Sequence, residues 1–329
     1  LISRTTRGIR KGPAQAGPFL LRTNDLALRP KKGIAVNSFC KVALPVTLIC
    51  SGTLALAKEP EAPLKREGKW AMEYAEGACH LSAAFGTGKD QVIARFTQVG
   101  PDQSLRLSLF GKRLDNPSVF TRAQLTFLPS SARSEWQEVT NGSVNRADGK
   151  LPAMFVGSVR FDNLRYTGPD DPPLPAIAPE IEKSVSALHV RRGGGSFTLA
   201  LETMGPPMAA MRKCIDNLVR HWGFEPSELA YRQSRAAPIG NPAYWARSSD
   251  YPSSMISEGS SAFVTFRAQV DAAGAVSDCT VLEATNPPTI GPHTCGLIKK
   301  RARFTPSRDK DGKPVPDFYI NRVFWRMGG

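Results

Sequence analysis

Six cysteines and four histidines are the residues of this 329-residue chain best able to do chemistry. The cysteines are Cys40, Cys50, Cys79, Cys214, Cys279 and Cys295, and no two stand as C-x-x-C. That spacing gives no support to a thioredoxin-like redox centre or a structural zinc site. His80, His189, His221 and His293 belong to no H-E-x-x-H and to no spaced Cys/His cluster, so each reads as a surface or helix-flank residue. No G-x-S-x-G elbow occurs. Gly86-Thr87-Gly88-Lys89-Asp90 looks like part of a phosphate loop but lacks its first Gly and its closing Ser/Thr, so a hairpin turn is expected there. Gly193-Gly194-Gly195 after Arg191-Arg192 could cradle an anion, yet reads better as a strand connection. Trp222 is expected in a core, while Trp136 and Trp245 could sit in a core or line a groove. The expectation is a protein that is no enzyme and holds neither metal nor cofactor.

What the cysteines do depends on where the chain resides. Lys31, Lys32 and Lys41 precede an apolar run over 42–56, and Ala55-Leu56-Ala57 has the small-x-small form of a signal-peptidase site. Fifteen residues of helix reach about 23 Å, short of a hydrocarbon core of about 30 Å, so cleavage after Ala57 is favoured over a permanent anchor. Residues 1–30 are an upstream extension expected to be disordered, 31–57 the signal peptide and 58–69 a lead-in. Removal of the signal takes Cys40 and Cys50 with it. The four that remain, an even number in an exported chain, read as two disulfides. Three pairings exist; nearness within domains favours Cys79–Cys214 and Cys279–Cys295.

The net charge of +14 is unevenly placed. Residues 1–57 hold nine Lys/Arg and a single acid, Asp25, so the remainder is only mildly basic. With no zinc-finger spacing and no aromatic RNA-binding motif, a nucleic-acid partner is not expected.

The elements that must position these residues fall into two domains of an α+β protein. Residues 70–225 read as a β-rich domain: 104–110 alternates Leu105, Leu107 and Leu109 against Arg106 and Ser108, and similar runs occupy 70–74, 91–97, 124–127, 154–161 and 196–202. Turn signals separate them at Gly100-Pro101-Asp102 and Asn141-Gly142, among others. One helix closes the domain. Pro206-Pro207 pre-set its first turn, and Met208, Met211, Ile215, Leu218, Val219 and Trp222 recur on one face ahead of Gly223. Cys214 beside that face could staple the helix to Cys79 on the first hairpin, worth about 5 kcal/mol for so long a loop. Residues 226–249 read as a polar linker.

In the last domain, 250–329, Val264, Phe266, Ala268 and Val270 share one strand face, and Thr265, Arg267 and Gln269 the other. Ala272-Ala273-Gly274 makes a short connection to a returning strand on which Ser277, Cys279 and Val281 share a face. A helix over about 292–302 carries Cys295, Ile298 and Ala302 on one side. Cys279 meets Cys295 if that strand face is the one the helix covers, a loop worth about 3 kcal/mol. A final strand occupies 318–327. Lys299, Lys300, Arg301 and Arg303 fall in the last turns of the helix, where they suit the negative end of its dipole and need no anion.

Tyr251-Pro252, the hairpin 263–283, Arg303-Phe304-Thr305-Pro306 after the helix and the closing 322–326 resemble, in order, the TonB C-terminal domain. The resemblance covers about the last 80 residues. It implies a small β-β-α-β domain with an exposed edge strand, in the periplasm of a bacterium with an outer membrane. It also implies a partner: an outer-membrane receptor or other envelope protein whose extended peptide pairs with that edge by strand addition. By position the accepting strand is Phe318, Tyr319, Ile320, Asn321, Arg322, Val323 and Phe324. An inner-membrane motor complex is a further partner that the family implies.

The chain departs from energy-transducing members of that family. The run 42–56 has no His and ends in a cleavage-like site, and a folded domain stands where a long Pro-rich spacer would be. The binding module is therefore expected first and motor coupling second. Two rivals are a soluble envelope adaptor without a motor and an exported enzyme whose site lies in 70–224.

Overall fold

The computed structural model describes residues 61–101, 104–130, 134–165, 174–285 and 287–326. The extension, the signal peptide and the start of the lead-in lie outside these residues.

Alternation of apolar and polar side chains builds the first part of the fold. Nine strands, β1 (Leu64–Tyr74), β2 (Cys79–Phe85), β3 (Val92–Gln98), β4 (Leu105–Phe110), β5 (Phe120–Leu128), β6 (Trp136–Arg146), β7 (Gly149–Val159), β8 (Ala187–Arg192) and β9 (Gly195–Ala200), close into a barrel. Their order is β1-β2-β3-β4-β7-β6-β5-β8-β9. Neighbours are antiparallel except at the closure, where β1 runs parallel to β9 through Leu64↔Leu199 and Lys65↔Ala200. Cys79, Leu81, Ala83 and Phe85 of β2 and Leu105, Leu107 and Leu109 of β4 point inward and are buried. Phe96 and Phe127 each meet Phe161 edge to face in the core, the latter pair with centroids 4.9 Å apart. His80, Ser82, Arg95, Arg106 and Ser108 occupy the alternate, outer positions. That is the reverse of the apolar exterior of a membrane-spanning barrel.

The Asn141-Gly142 turn expected from sequence is instead the middle of β6. Asn141 pairs with Met154 and Gly142 with Ala153. The Asn141 side chain is spent on the neighbouring segment, donating to Ser118 O at 2.8 Å and Thr121 Oγ1 at 2.9 Å. The turn falls at 147–148.

Helix α1 (Gly205–His221) buries the expected stripe of Met208, Met211, Ile215, Leu218 and Val219. Its Cys214 bonds Cys79 at the start of β2, and Trp222 just beyond it lies beside Gly100 at the end of β3, so α1 covers this end of the barrel. Gly223 takes φ +86° where the helix stops, a conformation glycine adopts without cost.

The final sheet has the order β11-β10-β12, from β10 (Ala262–Val270), β11 (Val276–Ala284) and β12 (Asp317–Trp325), with helix α2 (Ile290–Arg301) between the last two in sequence. Val264, Phe266, Ala268 and Val270 face α2, as their alternation requires, and pack with Ile290, Cys295 and Ile298. Cys279 and Cys295 are bonded across this layer. Gly274 holds φ +82° in the hairpin, and a Cβ there would collide with the Phe304 carbonyl oxygen. Among the described residues no helix is long and apolar enough to cross a membrane.

Part of the opposite face of this sheet is covered by the barrel. Phe318 and Ile320 join the same apolar core as the barrel interior and α1. Phe318 lies 5.2 Å from Trp222 and 5.1 Å from Phe224, centroid to centroid. A Cβ at Gly100 would stand 2.5 Å from Ile320 Cδ1, and one at Gly77 would stand 2.9 Å from Leu282 O. Two glycines in barrel turns thus let the sheet approach.

Candidate functional site

Residues of β12 alternate between two packed faces. Tyr319 and Val323 turn toward the α2 layer, where Tyr319 meets Phe304 at 5.1 Å and Trp245 at 5.9 Å. Phe318, Ile320, Arg322 and Phe324 turn toward the barrel, opposite Gln269, Arg267, Thr265 and Phe263 of β10. On that face Arg322 donates to Thr265 Oγ1 at 2.8 Å and to Glu283 Oε2 at 3.0 Å, and Arg106 of β4 bonds the same carboxylate. Arg267 lies over the Trp222 ring at 4.7 Å and reaches Thr280 Oγ1 at 3.1 Å. Phe324, by contrast, is 55% exposed. The seven residues singled out from sequence therefore divide: the N-terminal part is wedged against the barrel, and the C-terminal part is the accessible one.

Strand addition uses the edge, not the faces, so the direction of each amide matters. Phe263 exchanges hydrogen bonds with Thr285 beyond β11, and so points away from β12. Its partner Phe324 must then point its own N–H and C=O outward. The β10–β12 register runs without a break, so Phe318, Ile320, Arg322 and Phe324 all present their backbone to the outer edge. Among the described residues no backbone hydrogen bond is made there. Two of the four outward amides are nonetheless engaged. Phe318 N donates to Asp317 Oδ1 and Arg322 N to Asn321 Oδ1, each at 2.8 Å. The amides of Ile320 and Phe324 and all four carbonyls have no protein partner among the described residues.

The start of the edge is locked by the segment read from sequence as a polar linker. Asp317, wholly buried, accepts from Arg235 Nε and Nη2 at 2.9 and 3.0 Å and from Ala236 N at 2.9 Å. Arg232 stands 3.2 Å from the same carboxylate. Burial pushes this carboxyl up, but the hydrogen bonds and charge of Arg235 and the two backbone donors outweigh it and hold the pKa below the ordinary value. The Arg235 guanidinium also lies 4.9 Å over the Phe318 ring. Asp317 and Phe318 point to opposite faces of the strand, so Arg235 crosses the outer edge between them. Further along, Ala237 and Pro238 pair with Thr305 and Phe304, and Trp245 is buried.

Tyr251-Pro252 supports the other end. Tyr251 Oη donates to Ser260 O at 2.7 Å and its ring meets Trp325 at 5.7 Å. Trp325 Nε1 donates to Thr294 Oγ1 of α2 at 3.0 Å. Asp250 binds both Nη atoms of Arg301, whose hydrogen bonds pull its pKa down to about 2.

The histidines are dispersed. His80 and His189 sit on the barrel exterior, each 2.9 Å from a threonine hydroxyl, Thr97 and Thr198. His293 Nε2 donates to Asp250 O at 2.8 Å. His221 lines a cavity of about 430 Å³ with Tyr74, Glu76, Asn217 and the Cys79–Cys214 bridge. Among the described residues no group of three His, Cys, Asp or Glu could hold a metal ion.

The Asp317 clamp and the two capped amides escaped sequence reasoning. An Asx residue beside an edge amide was the available signal, since these short side chains bond neighbouring backbone. The clamp left none, because its partners lie about 80 residues apart.

No protein-family model matches this chain, and no curated protein matches it either.

Proposed function

We propose that this chain is a periplasmic protein of TonB type that binds extended segments of envelope partners by strand addition at the outer edge of β12. The observation carrying this reading is that β12 pairs on one side only, with four outward carbonyls and the amides of Ile320 and Phe324 unengaged among the described residues. Main-chain pairing of a guest strand would satisfy them, which is the source of affinity in this mode of recognition. The strand–strand–helix–strand order of 262–325 and the two disulfides support the reading. The partner expected is an outer-membrane receptor or another envelope protein.

A second reading, an adaptor without a motor, is favoured by the burial of Phe318 and Ile320 against the barrel. A module wedged into a larger body suits holding a partner more than transmitting a pull. Dependence of partner release on the proton gradient separates the two.

The test places a photo-crosslinking residue at Phe324 in cells with an outer membrane, with and without Ile320→Pro and with Tyr74 as a remote control site. Phe324→Pro, assayed with the crosslinker at Arg326, removes an outward amide and leaves the β10 ladder intact. Adducts with envelope proteins that vanish in Phe324→Pro support strand addition; adducts formed equally by both chains sink it.

A further inference from the structure

The outer edge of β12 is not uniformly open, and its two capped amides differ in how they are held. Asp317, which caps Phe318, is fixed by Arg232, Arg235 and Ala236 in a wholly buried site. Asn321, which caps Arg322, is half-buried and has one other polar contact, its Nδ2 donating to Tyr319 Oη at 3.1 Å. Tyr319 is in turn held between Phe304 and Trp245. The Arg322 N–H, which can only donate, fixes which end of the carboxamide faces the backbone: Oδ1 accepts it, leaving Nδ2 to donate to the Tyr319 hydroxyl.

We infer that Asn321 is a built-in competitor for the guest strand, occupying through its side-chain oxygen the one edge amide that stands between the open amides of Ile320 and Phe324. This rests on the strand-addition reading and specifies how that site is regulated. A guest pairing with Ile320 and Phe324 must place a carbonyl at Arg322 as well, since outward amides recur every second residue. It can do so only when the Asn321 side chain swings away toward Tyr319 or solvent. At Phe318 no such exchange is open, because Arg235 crosses the edge there. The guest is therefore confined to 320–324. In the absence of a partner the same cap shortens the run of unpaired amides, which discourages unintended edge pairing.

The structure thus assigns Asn321 a positioning role that hydrogen exchange can read at single residues. In the full chain, the Arg322 amide should exchange at least tenfold more slowly than that of Phe324. Asn321→Ala and the near-isosteric Asn321→Leu should raise it to the Phe324 rate without changing the inward amides, while Asn321→Asp, which keeps an acceptor, should leave it slow. The binding probe is an alternating Thr-Val octapeptide, uncharged and extended, so that main-chain pairing supplies its affinity. Asn321→Ala and Asn321→Leu should bind it about fivefold tighter than the parent, the effect of one hydrogen bond no longer contested, with new protection at Ile320, Arg322 and Phe324. Equal affinity of parent and variants, or an Arg322 amide as fast as Phe324 in the parent, overturns the competitor role and leaves strand addition standing. Failure of all chains to protect the edge amides at saturating peptide overturns strand addition itself, and the competitor role with it.

Discussion

Arg235 binds Asp317 with both Nε and Nη2, at 2.9 and 3.0 Å, across 82 residues of chain. Through that pair a segment with no apolar periodicity becomes a strap over the first residues of the edge strand. Removing the carboxylate leaves Arg232, whose side chain is 8% exposed, facing an uncharged site. Asp317→Asn should therefore cost about 3–5 kcal/mol, the penalty for breaking a buried pair from one side. The urea midpoint of the full chain measures it; a change under about 1 kcal/mol would show the strap to be dispensable.

Acid should act through the same carboxylates. Asp250, held by Arg301, is lowered to about 2, and Asp317 is lowered as well. Each is more acidic folded than its unfolded value of about 3.9, so the charged form favours the fold. Their contribution is present above about pH 4 and is lost as pH falls through the folded values, which for Asp250 is about 2. Unfolding midpoints between pH 5 and 2.5 should show this slope, and Asp250→Asn should flatten part of it.

His80 makes a separate prediction nearer neutrality. Burial, then the charges of Arg95 and Arg106 working against Glu73, lower its pKa from 6.5. The folded state prefers the neutral ring, so stability falls as pH drops below about 6.5 toward the folded pKa. His80→Gln keeps a polar group near Thr97 and should remove that component; an unchanged profile between pH 7.5 and 5.5 would contradict it.

The sheet–barrel junction depends on two glycines of unequal tolerance. At Gly77 an added Cβ meets the Leu282 backbone, at 2.9 Å from its oxygen and 3.0 Å from its Cα, and main chain cannot step aside. At Gly100 it meets Ile320 Cδ1, the free end of a side chain. Gly77→Ala should cost about 1–3 kcal/mol and Gly100→Ala less than about 1 kcal/mol. Calorimetry alongside Trp222 fluorescence checks the order, and the reverse order would mean the sheet is seated differently.

The two bridges should differ in value. Cys79–Cys214 closes a loop of 135 residues and Cys279–Cys295 one of 16. Chain entropy gives about 5 and about 3 kcal/mol respectively, so replacing the first pair by alanine should lower the midpoint more than replacing the second. Equal losses would show that loop length does not govern here.

Much of the fold was legible because burial imposes short periods on local sequence. Leu105, Leu107 and Leu109 announced an inward strand face, the Met208–Trp222 stripe announced its helix, and the positions of Cys279 and Cys295 allowed their bridge. Asn141-Gly142 misled for the same local reason: the pair is a good turn former, but Asn141 is instead bound to Ser118 and Thr121 in the middle of a strand.

By itself the sequence determined which residues share a face in strands such as 104–110 and 263–271 and in the helix ending at Trp222, since side-chain alternation and helical pitch are properties of the local chain. It placed the closing strand at 318–327, and the resemblance to the TonB C-terminal domain, not periodicity, suggested that Phe318–Phe324 offers an edge. Only the tertiary structure decided that nine strands close into a barrel, that the barrel packs against one face of the last sheet, and that Arg235 reaches Asp317 and Phe318 at the start of the edge strand. Those outcomes depend on contacts between residues tens to hundreds of positions apart, for which local periodicity carries no signal.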